Sequence, residues 1–175
     1  MRLTFSILVA CVGLMLMNSV ARADMADNPR YQAWIKFAKG SSETLDGSLQ
    51  MGQMTMTSEI TTTLTDKADD HVTLQIDTAS TMMGQQHSST RSQDIPAKAD
   101  LKDVTEGGHE NVDAMGKTFD CKVYTVSSDN PNMAGSTMKI WVNDDVPGGC
   151  VKMEVDSPRG NGIKIDYLLK SYEAK

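Results

Sequence analysis

Aromatic residues are scarce in this 175-residue chain, at 5% of positions. A core assembled mainly from rings is therefore excluded, and aliphatic and thioether side chains must fill it instead. Cations are also in short supply, with 17 Lys+Arg against 23 Asp+Glu. No cluster of Lys and Arg appears, which excludes a nucleic-acid binder, because phosphate contacts require grouped cations. The chain has no His-Glu-x-x-His zinc motif, no Gly-x-Ser-x-Gly elbow and no glycine-rich phosphate loop opening a helix. The motifs of zinc, serine-nucleophile and nucleotide chemistry are thus missing. We assign no catalytic residue and expect no cofactor and no enzymatic activity.

The first 23 residues read as an export signal. Arg2 supplies the positive start, Phe5 to Met17 is apolar, and Ala21-Arg22-Ala23 places small residues where a signal peptidase reads. An apolar stretch of about 13 residues is short of the roughly 20 that a spanning helix requires. Leu8-Val9-Ala10-Cys11 matches a lipobox formally, but the apolar run continues past Cys11. Cleavage is expected between Ala23 and Asp24, leaving 175 − 23 = 152 residues with a charge balance of 15 − 23 = −8. That length suits one domain, residues 24–175, burying roughly two thirds of its unfolded surface. No second long apolar run follows, so a periplasmic or secreted monomer without a transmembrane segment is expected.

The mature chain opens with a helical pattern. Tyr31, Trp34, Ile35 and Ala38 share a face, Asn28-Pro29 supplies an N-cap and first-turn proline, and Gly40 stops the helix. Everything afterwards alternates with the period of a strand. Ile60, Thr62 and Leu64 form one inward set, and Val72, Leu74 and Ile76 another. Phe119, Cys121 and Val123 follow, then Met138, Ile140 and Val142, then Val151, Met153 and Val155, then Ile163, Ile165, Tyr167 and Leu169. Lys139, Lys152, Glu154, Lys164 and Lys170 fall in the opposite, solvent phase. Turn chemistry separates the runs at Ser127 to Gly135, Asp144 to Gly149 and Ser157 to Gly162. The expected fold is mainly β: a strongly twisted antiparallel meander of eight to ten strands forming a half-open barrel, with one N-terminal helix.

Three segments carry a family resemblance: Trp34-Ile35-Lys36-Phe37 leading to Lys39-Gly40-Ser41, the strand Phe119 to Tyr124, and Lys139 to Gly149. The chain resembles exported bacterial β-proteins of unknown function whose fold is similar to the lipoprotein carriers LolA and LolB. That resemblance implies a half-open β-barrel around an apolar groove closed by helical segments, and a lipid or other apolar ligand.

Methionine is abundant, with 13 in the chain and ten after the leader. Met51-Gly52-Gln53-Met54-Thr55-Met56 and Met82-Met83-Gly84-Gln85-Gln86-His87 suggest soft-metal capture, since thioethers favour Cu(I). On one continuous strand, however, Met51 would point away from Met54 and Met56. An adaptable apolar lining is therefore preferred, with Met54, Met56, Met82 and Trp141 as ligand-binding candidates. Met51, Met54, Met56 and His87 stand as the alternative copper set. Trp141 falls in the charged phase, so either the helix with Trp34 and Phe37 covers it or it lies exposed at a binding surface. His71, His87 and His109 lie apart, as strand-end residues. Asn143-Asp144-Asp145 is too short a loop for calcium and is read as a turn. Cys121 and Cys150 fall two strands apart on opposite faces, so they are expected to remain unbridged.

Three functional readings follow. The first is an exported, non-enzymatic protein that binds an apolar or amphipathic ligand, or an envelope partner, on a concave sheet. The second is a copper-handling protein, and the third an enzyme built from unmarked residues. The leader itself is tested by intact mass: the exported protein should begin at Asp24 without acyl chains, and a diacylated chain beginning at Cys11 would contradict the assignment.

Overall fold

The computed structural model describes residues 25–101, 103–127, 135–157 and 162–175. The leader with its cleavage site, Cys11, and most of the turns expected at 127–135 and 157–162 lie outside the described residues. A short strand β1 (Met25–Asp27) leads into helix α1 (Pro29–Ile35). Then come β2 (Ser42–Met51), β3 (Met54–Lys67), β4 (His71–Met82), β5 (Gln85–Pro96) and the short β6 (Lys98–Asp100). The remainder is β7 (Val104–Ala114), β8 (Lys117–Ser127), β9 (Thr137–Val142), β10 (Cys150–Ser157) and β11 (Ile163–Glu173).

Nine strands form one antiparallel sheet in the order β5-β4-β3-β2-β11-β10-β9-β8-β7, and β1 pairs with β6 in a separate ribbon. The protein is therefore mainly β and half-open, with β5 and β7 as its edges. Its order refines the expected meander. Strands β2 to β5 form one meander and β7 to β11 a second, and the two join where β2 pairs with β11.

Three two-residue turns set the hairpins. Gly52 takes φ +58 between β2 and β3, Met83 and Gly84 take φ 50 and 79 between β4 and β5, and Met115 and Gly116 take φ 55 and 74 between β7 and β8. Positive φ at both central positions, as at Met83-Gly84 and Met115-Gly116, or at a first-position glycine alone, as at Gly52, defines the primed turns that match strand twist. Met82 to Gln85, which the sequence offered as part of a soft-metal motif, is thus a hairpin tip. A longer turn behaves as the residues imply. The Gly149 N–H donates to the Val146 carbonyl at 2.8 Å, with Pro147 and Gly148 at its centre and Gly148 at φ +76. That is a type II turn.

Helix α1 begins as expected, since Asn28 Oδ1 accepts from the Arg30 N–H at 3.0 Å and Pro29 opens the first turn. It ends at Ile35, several residues before Gly40. Tyr31 and Trp34 pack on Leu64, Val72, Leu74 and Ile95, which fixes the helix against the β3–β5 part of one sheet face. Burying each of these large side chains contributes roughly 1.5–3 kcal/mol. The Tyr31 hydroxyl donates to the Ala68 carbonyl at 3.0 Å, so its one polar atom is satisfied.

The registers assign the faces. Leu45, Leu49, Met56, Met138, Met153, Val155, Ile165 and Tyr167 share the helix-bearing face and are buried. Val112, Phe119, Cys121, Val123 and Trp141 are equally buried on the opposite face. Strands β8 and β9 therefore bury one face at one end and the other face at the other. This corrects the simple alternation expected for β9: Ile140 and Val142 are only half-buried, while Trp141 is buried. Its partner β10 carries a register shift between Cys150 and Lys152, leaving Val151 as an inserted, fully buried residue. Val151, Met153, Ile165, Tyr167 and Leu169 are buried and Lys164 and Lys170 exposed, as their phase implies. Lys139, Lys152 and Glu154 are half-buried instead of exposed, because they cluster beside Trp141.

Candidate functional site

The face opposite the helix carries a groove of about 940 Å³ between β7 and the β2, β3 and β11 strands. Registration builds it. Trp141 lies across from Val123 and Lys152, Lys152 across from Leu168, and Leu168 across from Asp46. Val112 closes it from β7. The apolar members are thus Val112, Trp141 and Leu168, of which Leu168 is 38% exposed. Around them stand Asp46, Glu110, Asp166 and Lys152.

Trp141 is covered, but not by the helix. Its indole Nε1 donates to Glu110 Oε2 at 2.7 Å, and Lys139 Nζ meets Glu110 Oε1 at 2.9 Å. The Lys139 and Lys152 ammonium groups lie 4.5 and 4.7 Å from the indole centroid. These are cation–π contacts to an electron-rich ring. Hydrogen bonds from Lys139 and then Trp141 hold the Glu110 carboxyl below the usual carboxylate range. Neither sequence alternative for Trp141 is realised: it is 4% exposed, under β7 and two lysines.

The other candidates lie elsewhere. Met54, Met56 and Met82 occupy the helix-bearing face, so the proposed ligand set is divided between two faces. Met51 shares their face, contrary to the single-strand reading. The Gly52-Gln53 turn makes Met51 and Met54 a registered cross-strand pair, and such pairs point the same way. His87 lies across from Ser80 on that face and lines a second, more polar cavity of about 520 Å³. His71 and His109 sit beside Asp70 and Asp120 at 2.7 and 3.0 Å. Asn143 shapes its turn by accepting from the Asp145 N–H at 3.0 Å. Among the described residues, no three His, Cys, Asp or Glu side chains gather as a metal site. Cys121 and Cys150 are both free thiols, and burial pushes Cys121 up to about 11 and Cys150 well above its ordinary value.

Glu43 is the residue that sequence reasoning missed. It is 6% exposed, its Oε2 has no hydrogen-bond partner among the described residues, and burial raises its pKa to about 8 against the opposing charge of Arg30. The Cys150 backbone donates to its carboxyl. The signal was available, because Glu43 is in phase with Leu45 and Leu49 along β2.

No family model matches the chain, and the search of curated proteins finds no match. Among solved structures, the chain is similar to the hypothetical protein CT021 from Chlamydia trachomatis, at TM-score 0.42 and 6% identity over 86% of this chain and 94% of that one. It is also similar to a "putative outer membrane lipoprotein-sorting protein domain" from Vibrio parahaemolyticus, at TM-score 0.28 and 10% identity over 84% of this chain and 89% of that one. Likeness at this level carries no functional argument.

Glu43 has a pH signature. A carboxyl whose folded pKa is raised stabilises the fold while it is protonated in both states, below the ordinary value of 4.5, and that contribution is lost as pH rises toward about 8. The melting midpoint should fall across this window, and Glu43→Gln should flatten the fall. An unchanged slope in the variant would contradict the burial assigned to Glu43.

Proposed function

We propose that this chain is an exported, non-enzymatic protein that holds an amphipathic ligand in the groove beneath β7. The observation that carries the reading is the lining itself. Leu168 gives an open apolar surface backed by the buried Val112 and Trp141, and the surrounding Asp46, Glu110, Asp166 and Lys152 give charged positions where a polar end can sit. Concave, partly apolar sites with a few placed polar groups are where small ligands bind. The leader supports export, and the absence of catalytic motifs supports binding over chemistry. The half-exposed Leu168 gives the site an apolar surface that ligand burial would remove from water.

Dansyl-undecanoic acid is a suitable probe, since its fluorescence and energy transfer from Trp141 report binding together. Leu168→Asp should weaken binding at least about tenfold, the loss expected from about 1.4 kcal/mol of apolar burial. The partly exposed site should leave the melting midpoint within a few degrees of wild type. Equal affinity in wild type and variant would move the ligand out of this groove.

A further inference from the structure

The helix-bearing face ends, away from the helix, in a group of methionines that the groove does not use. Met51 on β2 is registered with Met54 on β3, and Met56 on β3 is registered with Met82 on β4. Met54 and Met56 are two residues apart on one strand, so all four side chains rise from the same face. Directly opposed Cβ atoms are about 4.5–5.5 Å apart, and same-face neighbours along a strand about 6.6 Å. A methionine side chain has three rotatable bonds and reaches across such spacings. Four sulfurs can therefore converge on one point above β3.

We propose that Met51, Met54, Met56 and Met82 form a thioether site for one Cu(I) ion, separate from the groove on the other face. Core filling alone does not account for the group. Met56 is 9% exposed and Met51 and Met82 are half-buried, but Met54 is 48% exposed. That gradient leaves an enclosed floor and an open side for entry. Thioethers are soft donors that select Cu(I) over hard divalent cations. His87, across from Ser80, lies on the same face. The two thiols lie toward the other end of the sheet, where Cys150 adjoins Glu43. They do not belong to this group.

The test uses the mature protein carrying ¹³C-methyl methionine, titrated with Ag(I) as a redox-inert stand-in and then with Cu(I) under anaerobic conditions. The methyl signals of Met51, Met54, Met56 and Met82 should shift together and saturate at one equivalent. Met25 and Met115, in the β1–β6 ribbon and the β7–β8 turn, should not move. In competition with bicinchoninate, Met54→Leu with Met56→Leu should lower Cu(I) affinity at least about tenfold. Met25→Leu with Met115→Leu should leave it unchanged. The leucine swaps conserve volume, and equal melting midpoints will show that both variants fold. Shifts that appear only in excess metal, that spread equally to Met25 and Met115, or that are replaced by signals from the cysteines would overturn the proposal.

Discussion

Everything in this fold depends on one pairing, the antiparallel seam between β2 and β11. Ten registered pairs run from Ser42 opposite Glu173 to Met51 opposite Ile163. Closing contacts across so much intervening chain costs loop entropy before any contact is made. The seam offsets that cost with ladder hydrogen bonds and with Leu45, Leu49, Ile165, Tyr167 and Leu169, all buried along it. Gly47 lies opposite Tyr167, and a Cβ there would run into the Asp166 carbonyl oxygen. Glycine is therefore required by close approach of the two backbones. The far end is fastened too, because the Ala38 N–H donates to the Lys175 carbonyl at 2.8 Å and the Lys175 N–H donates to Ser41 Oγ at 2.9 Å.

Both sites described above follow from that seam. It sets Asp46 beside Leu168 and so brings the β2 side of the groove to the β7 side, while on the other face it places Met51 at the end where Met54, Met56 and Met82 gather. It also carries Glu43 inward beneath the helix, in the same phase as Leu45. A buried carboxyl with one unpartnered oxygen opposes folding when ionised, so the protein keeps it through the surrounding packing and the Cys150 N–H. A second polar pair inside the sheet, Ser58 with the Tyr167 hydroxyl, is mutually satisfied.

Local patterns were readable from the chain where a strand buries one face throughout. Val72, Leu74 and Ile76 on β4 and Ile165, Tyr167 and Leu169 on β11 lie where alternation places them. The N-cap at Asn28 and the turn within Asp144 to Gly149 were legible because each depends on a few adjacent residues. Strand β9 was not, since the inserted Val151 on its neighbour and the switch of buried face between Met138 and Trp141 are tertiary effects. Hairpin tips at Met83-Gly84 and Met115-Gly116 escaped notice because methionine rarely takes positive φ. Met51 was placed on the wrong face for a different reason, because the Gly52-Gln53 turn between β2 and β3 interrupts what reads as one continuous strand. The site at Trp141 was half-legible: the residue stood out by phase, but its cover, Glu110 from β7, depends on how the second meander curls.

The central claim is that the β2–β11 seam makes the two meanders one cooperative unit. Hydrogen exchange resolved by peptide, in wild type and in Gly47→Ala, tests it most directly. The account predicts that peptides from β3–β4 and from β8–β9 open at one common free energy in wild type, and that Gly47→Ala lowers protection in both by the same amount. Overpacking of this kind destabilises by about 1–3 kcal/mol. Loss of protection confined to one meander, with the other unchanged, would contradict the account.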